Sequence, residues 1–210
     1  MVKKSDLSAV YDTFADAYDA NRDSFDISDI IQKFSQQLPD VGHLLDLGCG
    51  AGVPLGRSFI DLNWSVLGVD FSSKMLALAK KQVPEMKTIC SDICNLKFDE
   101  GEFDAISLIY SLFHVAKDQH NTLFSKVERW LKPGGKVLFT YATQEYTGST
   151  EFDGYKEFMG QQLFYSHETP DVLYQLLENI GFVIISKQYY CTAGETFLWV
   201  TIQKPLSGAN

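Results

Sequence analysis

Residues 43–52 read His43-Leu44-Leu45-Asp46-Leu47-Gly48-Cys49-Gly50-Ala51-Gly52. The first five form a short buried strand, and the glycines that follow let the backbone turn tightly and approach a ligand with no Cβ in the way. Downstream, strand and helix patterns alternate. Ser65 to Val69 is a strand ending at Asp70, and Ser72 or Ser73 caps a helix carrying Met75, Leu76, Leu78 and Ala79. Met86 to Cys90 is a third strand, followed by Asp92, and Phe103 to Ile109 is a fourth, apolar enough to be buried on both faces. Asp118 caps a helix over Asn121–Leu131, which stops at Pro133-Gly134-Gly135, and Lys136 to Tyr141 is the fifth strand.

After an aromatic loop, Pro170 to Asn179 is helical with Gly181 at its end. Two long strands close the chain, Phe182–Tyr190 and Glu195–Gln203, and Thr192-Ala193-Gly194 joins them. That connection is too short for a parallel crossover, so they pair antiparallel. Upstream, Leu7, Val10, Tyr11, Phe14 and Tyr18 recur at helical spacing, as do Ile27, Ile30, Ile31, Phe34 and Leu38. Strands alternating with helices predict an α/β fold, a doubly wound, mostly parallel sheet. The expected organisation is one domain: a helical N-terminal lid (1–40), a ligand-binding core (41–142), and a loop, last helix and antiparallel hairpin (143–210).

Composition narrows the function. The 210 residues carry 18 Lys+Arg against 27 Asp+Glu, a formal charge of -9, with 45% hydrophobic residues. An acidic chain without a basic stripe is a poor match for nucleic acid or an anionic membrane. No run reaches the eighteen or so apolar residues of a membrane span, and the start is too acidic for a signal peptide, so a cytoplasmic location is expected. Cys49, Cys90, Cys94 and Cys191 lack zinc-ligand spacing and read as reduced interior thiols, and no metal is expected. The oligomer is left as monomer or homodimer.

Ligands of open α/β sheets bind beyond the carboxyl ends of the strands. There stand Asp46 with the glycine loop, Asp70, Asp92 and Tyr110-Ser111. Asp70 is placed to accept both hydroxyls of a ribose, and Asp92 to accept from an adenine amine. The dinucleotide pattern G-x-G-x-x-G/A fails, because Val53 stands where it needs Gly or Ala. No Tyr-x-x-x-Lys dyad is present, which further disfavours an NAD(P)-dependent oxidoreductase. Asp46 would repel a pyrophosphate and suits a ligand with a cationic amine.

These residues resemble a known family. Leu44 to Gly52, Val66-Leu67-Gly68-Val69-Asp70-Phe71-Ser72, Ser91-Asp92, Phe103-Asp104 and Trp130 to Gly135 are similar, in order, to the motifs of class I, seven-stranded, Rossmann-like S-adenosylmethionine-dependent methyltransferases. Tyr11-Asp12, Phe14-Ala15 and Tyr18-Asp19 resemble the opening helix of the small-molecule type. The resemblance implies strand order 3-2-1-4-5-7-6 with the seventh antiparallel. It implies S-adenosylmethionine as cofactor, S-adenosylhomocysteine as product, and a small-molecule methyl acceptor. Gly48 and Gly50, with neighbouring Cys49, would contact the methionine end, Asp70 the ribose, and Asp92 the adenine amine. Phe71, Met75 and Ile93 would line the adenine, with Ser72 and Ser91 beside them, and Tyr110 would lie by the sulfonium. Tyr11, Tyr18 and Arg22 would close over the cofactor. His114 or Tyr110 would serve as base where the acceptor must lose a proton. Asp104 and His167 read as structural, and His43 and His120 carry no functional argument. Gly52 reads as a packing glycine, and the aromatic segment Gln144 to Glu168 as a roof over the substrate. A cofactor-binding protein without turnover is the alternative.

Overall fold

The computed structural model describes residues 5–20, 26–158 and 160–206, except for the side chains of residues 5, 6, 14 and 16–20. Nine strands and seven α-helices occur among the described residues. The main sheet runs through β1 (His43–Leu47), β2 (Ser65–Asp70), β3 (Lys87–Cys90), β4 (Phe103–Leu108), β5 (Leu131–Tyr141), β8 (Val183–Thr192) and β9 (Glu195–Gln203). Its order is β3-β2-β1-β4-β5-β9-β8. The first five strands are parallel, and β9 runs antiparallel to both β5 and β8. With β6 (Phe152–Phe158) and β7 (Gln161–His167) set aside in their own two-stranded sheet, this is the expected order.

Alternation along the strands builds two cores. Leu44, Val66 and Leu138 face the side covered by α2 (Ser28–Ser35), α3 (Leu55–Asp61) and α4 (Ser73–Gln82), through Ile30, Ile31, Phe34, Phe59 and Ala79. Leu45, Leu47, Ile106, Val137 and Phe139 face the other side. It is covered by α5 (His120–Trp130) and α7 (Pro170–Ile180), through Leu123, Phe124, Val127, Leu173 and Leu177. Burying a side chain of this size contributes roughly 1.5–3 kcal/mol. Leu44, Leu45 and Leu47 are fully buried, as a central parallel strand requires.

Local signals explain most boundaries. The Ser72 hydroxyl accepts from the Met75 N–H (3.1 Å) and caps α4. Thr169 caps α7, Pro170 opens it, and Gly181 (φ 109°) ends it in the left-handed region. Ala193 and Gly194 both have positive φ, the two-residue primed turn that fits the twist of β8 and β9.

Several expectations are corrected. Asp118 caps nothing: it lies within a 3₁₀ turn at Lys117–Gln119, and α5 begins at His120 without a side-chain cap. Of the four thiols only Cys49 is buried, because β3 is an exposed edge strand and β8 forms the opposite edge. The aromatic segment is no loop but α6 (Gln144–Thr147) followed by the hairpin β6–β7. Asp104 is structural, as expected, because its carboxylate accepts from the His43 N–H (2.8 Å) and the Lys132 ammonium (2.8 Å). No helix among the described residues is long and apolar enough to cross a membrane.

Candidate active site

The chain passes from β1 outward to β2 and β3, then returns to place β4 on the other side of β1. At this switch point the strand ends diverge and open a cleft of about 300 Å³, at the lower end of the range for ligand pockets. Gly48 has φ +86°, and a Cβ there would lie 2.3 Å from the Ser111 Cβ. Gly50 has φ +51° with nothing within 4 Å of where its Cβ would be, so the open cleft meets bare backbone. The Gly50 N–H donates to Asp70 Oδ2 (2.9 Å) and the Ser72 N–H to Asp70 Oδ1 (2.8 Å), which fixes the carboxylate at the cleft wall. Asp92 accepts from the Cys94 N–H (2.8 Å) and caps a 3₁₀ turn, leaving Ile93 against the same cleft.

Asp46 is buried and accepts from the Ser107 hydroxyl (2.7 Å). Burial pushes its carboxyl up to about 7, against the Ser107 hydrogen bond, and the charge of Asp70 adds to the rise. Burial raises Asp70 as well, against backbone hydrogen bonds from Ser72, Gly50 and Phe71. Neither carboxylate has an ion-pair partner within 4 Å among the described residues. A recess of about 80 Å³ at Asp46 and Cys49 shares Gly48, Gly50 and Tyr110 with the main cleft. Two buried carboxylates without a cation make a receptor for one, since a buried charge is costly until paired.

Across the cleft, Tyr110 has φ 54°, rare for a residue with a bulky side chain. Its N–H donates to Thr140 Oγ1 (2.6 Å), and its ring rests edge-on against Phe197 and Trp199. His114 is buried, with Nδ1 2.6 Å from the Phe164 carbonyl. A carbonyl only accepts, so Nδ1 carries the proton and Nε2 accepts from the Tyr11 hydroxyl (2.8 Å). Burial holds the imidazole down to about 4, against the Phe164 hydrogen bond, so it is neutral at physiological pH. Helix α1 (Ser5–Ala20) reaches the site because its Ser8 hydroxyl donates to the Phe71 carbonyl (3.1 Å) and Tyr11 packs edge-on against Phe71. The Ser72 hydroxyl donates to Asp12 (2.5 Å), which ties the helix down.

Of the residues singled out from sequence, Tyr11, Gly48, Gly50, Asp70, Phe71, Met75, Asp92, Ile93, Tyr110 and His114 line the main cleft, and Asp46 and Cys49 line its recess. Ser72 and Ser91 line neither. The first caps α4, and the second donates its hydroxyl to the Asp92 carbonyl. Arg22 and the side chain of Tyr18 lie outside the described residues. A Cβ on Gly52 would meet Met86 and Val83, the packing role expected of it, while its backbone also lines the recess. Among the described residues no group of three His, Cys, Asp or Glu could hold a metal.

Sequence reading missed Ser8, Ile109 and Val115 on the main cleft, and Glu195 and Phe197 beyond it. Ile109 and Val115 flank residues already singled out, so adjacency alone could have found them. Glu195 has no local signal.

Residues 44–135 match the family model described as a methyltransferase domain. The central part of this chain is similar to a methyltransferase domain. It is similar to phosphoethanolamine N-methyltransferase 2 of Caenorhabditis elegans, with 27% identity over 164 residues that cover 76% of this chain and 36% of that protein. The chain spans about half the length, or less, of the first curated relatives it matches (54%, 36% and 53%). Among solved structures, the fold of this chain is similar to that of a Burkholderia thailandensis 1,6-didemethyltoxoflavin-N1-methyltransferase with bound S-adenosylhomocysteine. That pair has TM-score 0.70 and 20% identity, covering 98% of this chain and 92% of the other. It is also similar to the [4+2]-cyclase SpnF, with TM-score 0.76 and 16% identity, covering 98% of each chain.

Proposed function

We propose that the chain transfers a methyl group from S-adenosylmethionine to a small-molecule acceptor. The observation that carries this reading is the pair of buried carboxylates with no ion-pair partner among the described residues, beside a bare glycine loop, with Asp92 one strand further along the same cleft. When bound, S-adenosylmethionine supplies a methyl group already activated on a sulfonium.

Asp46 would hold the ligand's ammonium end, with Gly48 and Gly50 beside it. Asp70 would accept from the ribose hydroxyls, and Asp92 from the adenine amine. Phe71, Met75 and Ile93 would enclose the base, and Tyr110 would stand between the cofactor and the acceptor. A pyrophosphate would face Asp46, which argues against a nicotinamide dinucleotide. His114 would take a proton from the acceptor at Nε2, the atom now turned to the Tyr11 hydroxyl, although burial makes its imidazole a weak base. General-base assistance of this kind contributes roughly 10²–10⁴-fold. Alignment and exclusion of water supply the rest, with effective molarities that can lower a barrier by about 7–11 kcal/mol.

The cyclase that shares this fold shows that the fold alone does not fix the reaction. The test is to incubate the chain with S-adenosylmethionine and a panel of small acceptors and follow S-adenosylhomocysteine by mass spectrometry. Acceptor-dependent release is expected. Conversion of an acceptor without release, or cofactor binding without any turnover, would overturn methyl transfer and leave binding alone.

A further inference from the structure

Behind Tyr110 and His114 the cleft continues into a second chamber of about 40 Å³, walled by Phe113, Tyr146, Phe158, Tyr165 and Phe197. Among the described residues its one carboxylate is Glu195. Phe113 stacks on both Tyr165 and Phe197 (centroids 5.2 Å in each case), so the walls are held by one another and the chamber is preformed. The strained Ala193-Gly194 turn sets the start of β9, and with it Glu195, at this place. Burial raises the Glu195 carboxyl, against the charge of Lys156 and a hydrogen bond from Tyr146. The Lys156 ammonium does not reach it: no ion pair within 4 Å joins the two, and Lys156 instead donates to the Tyr146 carbonyl (2.7 Å). That ammonium also sits 4.3 Å from the centre of the Tyr146 ring, so one face of this ring already holds a cation.

Resting on the methyl-transfer reading above, we propose that the acceptor is a small primary or secondary amine, recognised as its ammonium by this aromatic chamber and Glu195. Three features select that chemistry. Aromatic faces and one carboxylate attract a cation, and no Lys or Arg among the described residues lines the chamber to hold a phosphate or carboxylate. The chamber is small, which suits a compact head group. Finally, His114 lines both chamber and cleft as a neutral hydrogen-bond acceptor through Nε2. The amine reacts as its free base: the ammonium gives one proton to solvent, and His114 Nε2, the atom that now accepts from Tyr11, accepts a hydrogen bond from a remaining N–H. The freed nitrogen lone pair forms the new N–C bond to the donor's methyl group, and the pair of the broken C–S bond remains on sulfur. The product leaves as the N-methylated ammonium.

The experiment uses the full chain in three steps. S-adenosylhomocysteine binding is measured first, since its absence refutes the underlying methyl-transfer reading and not the chemistry of the chamber. Ethylamine, ethanolamine and dimethylamine are then compared with ethanol and ethylene glycol by mass spectrometry of S-adenosylhomocysteine and of the methylated product. Tetramethylammonium, which cannot accept a methyl group, is titrated into the S-adenosylhomocysteine complex against neutral tert-butanol. Methylation of the amines at least tenfold faster than of the alcohols, and binding of tetramethylammonium but not tert-butanol, is the expected result. Glu195→Gln should raise KM for the amine, or Kd for tetramethylammonium, about tenfold while S-adenosylhomocysteine affinity is unchanged. Amines no better than alcohols, tetramethylammonium no better than tert-butanol, or an unchanged KM in a folded Glu195→Gln variant would each overturn the proposal. Should that variant not fold, the two comparisons on the unaltered chain decide.

Discussion

On one side of Tyr110, the cleft is made of strand ends: Gly48, Asp70 and Asp92 follow β1, end β2 and follow β3. On the other side it is made of rings, and Phe113, Tyr146, Tyr165 and Phe197 come from four separate elements. The first half depends on backbone. Its carboxylates are anchored by backbone N–H groups of their own and neighbouring turns, as when Ser72 and Gly50 donate to Asp70. The second half depends on side chains stacked on side chains, with the β6–β7 hairpin as its outer wall. A half built from local turns suits a ligand shared by many enzymes. A half built from packed rings can change by substitution without disturbing the sheet.

The largest expected effect falls on the backbone half. Gly48→Ala forces a left-handed φ on a residue with a Cβ and drives that Cβ into Ser111. The loss should be about 3 kcal/mol, or about 10 °C in Tm, with S-adenosylhomocysteine binding lost as well. An unchanged melt would break the claim that this loop is conformationally fixed. Asp70→Ala comes next. Two hydrogen bonds to a charged acceptor, at roughly 1.5–3 kcal/mol each, predict at least about a 100-fold weaker S-adenosylhomocysteine Kd by calorimetry. Equal affinity would remove Asp70 from the site.

His114→Asn separates the halves. The account expects kcat to fall by about 10²–10⁴ while S-adenosylhomocysteine Kd stays within a factor of two or so. A parallel loss of cofactor affinity would merge the two regions into one.

The smallest effect is a pH dependence with opposite signs. Asp46 sits above its ordinary value, so its contribution to stability is full below about 3.8 and is lost as pH rises to about 7. His114 and His120 sit below theirs, so their contribution is full above about 6.5 and is lost as pH falls towards 4. Asp46→Asn should therefore raise the urea midpoint of the ligand-free protein at pH 8 but not at pH 4. A rise at both would point to packing instead of charge.

The same division governs what the sequence discloses. Leu44 to Gly52 places strand, turn and carboxylate within one short stretch, β2 ends in Asp70 and Asp92 follows β3, so the half proposed to hold the adenosyl group is legible residue by residue. The β8–β9 hairpin is legible too, because its short connection permits only one pairing. The β6–β7 hairpin is not. Its strands alternate weakly, much of β6 is exposed, and aromatic content alone did not separate a hairpin from a loop. Asp118 misled because a capping residue type before a helix is only a propensity, and here the chain enters through a 3₁₀ turn. Glu195 was invisible because its role comes from where β9 lies in the sheet, next to β5 and far from the glycine loop in sequence. His114 lay between: its position was evident, while its tautomer depends on the Phe164 carbonyl carried by the hairpin.

Calorimetric titration of the purified chain with S-adenosylmethionine, S-adenosylhomocysteine and NAD, run in parallel, tests the central claim most directly. The account predicts one-to-one binding of both adenosyl-sulfur ligands and no heat with NAD. Heat with NAD alone, or silence with all three, would contradict it.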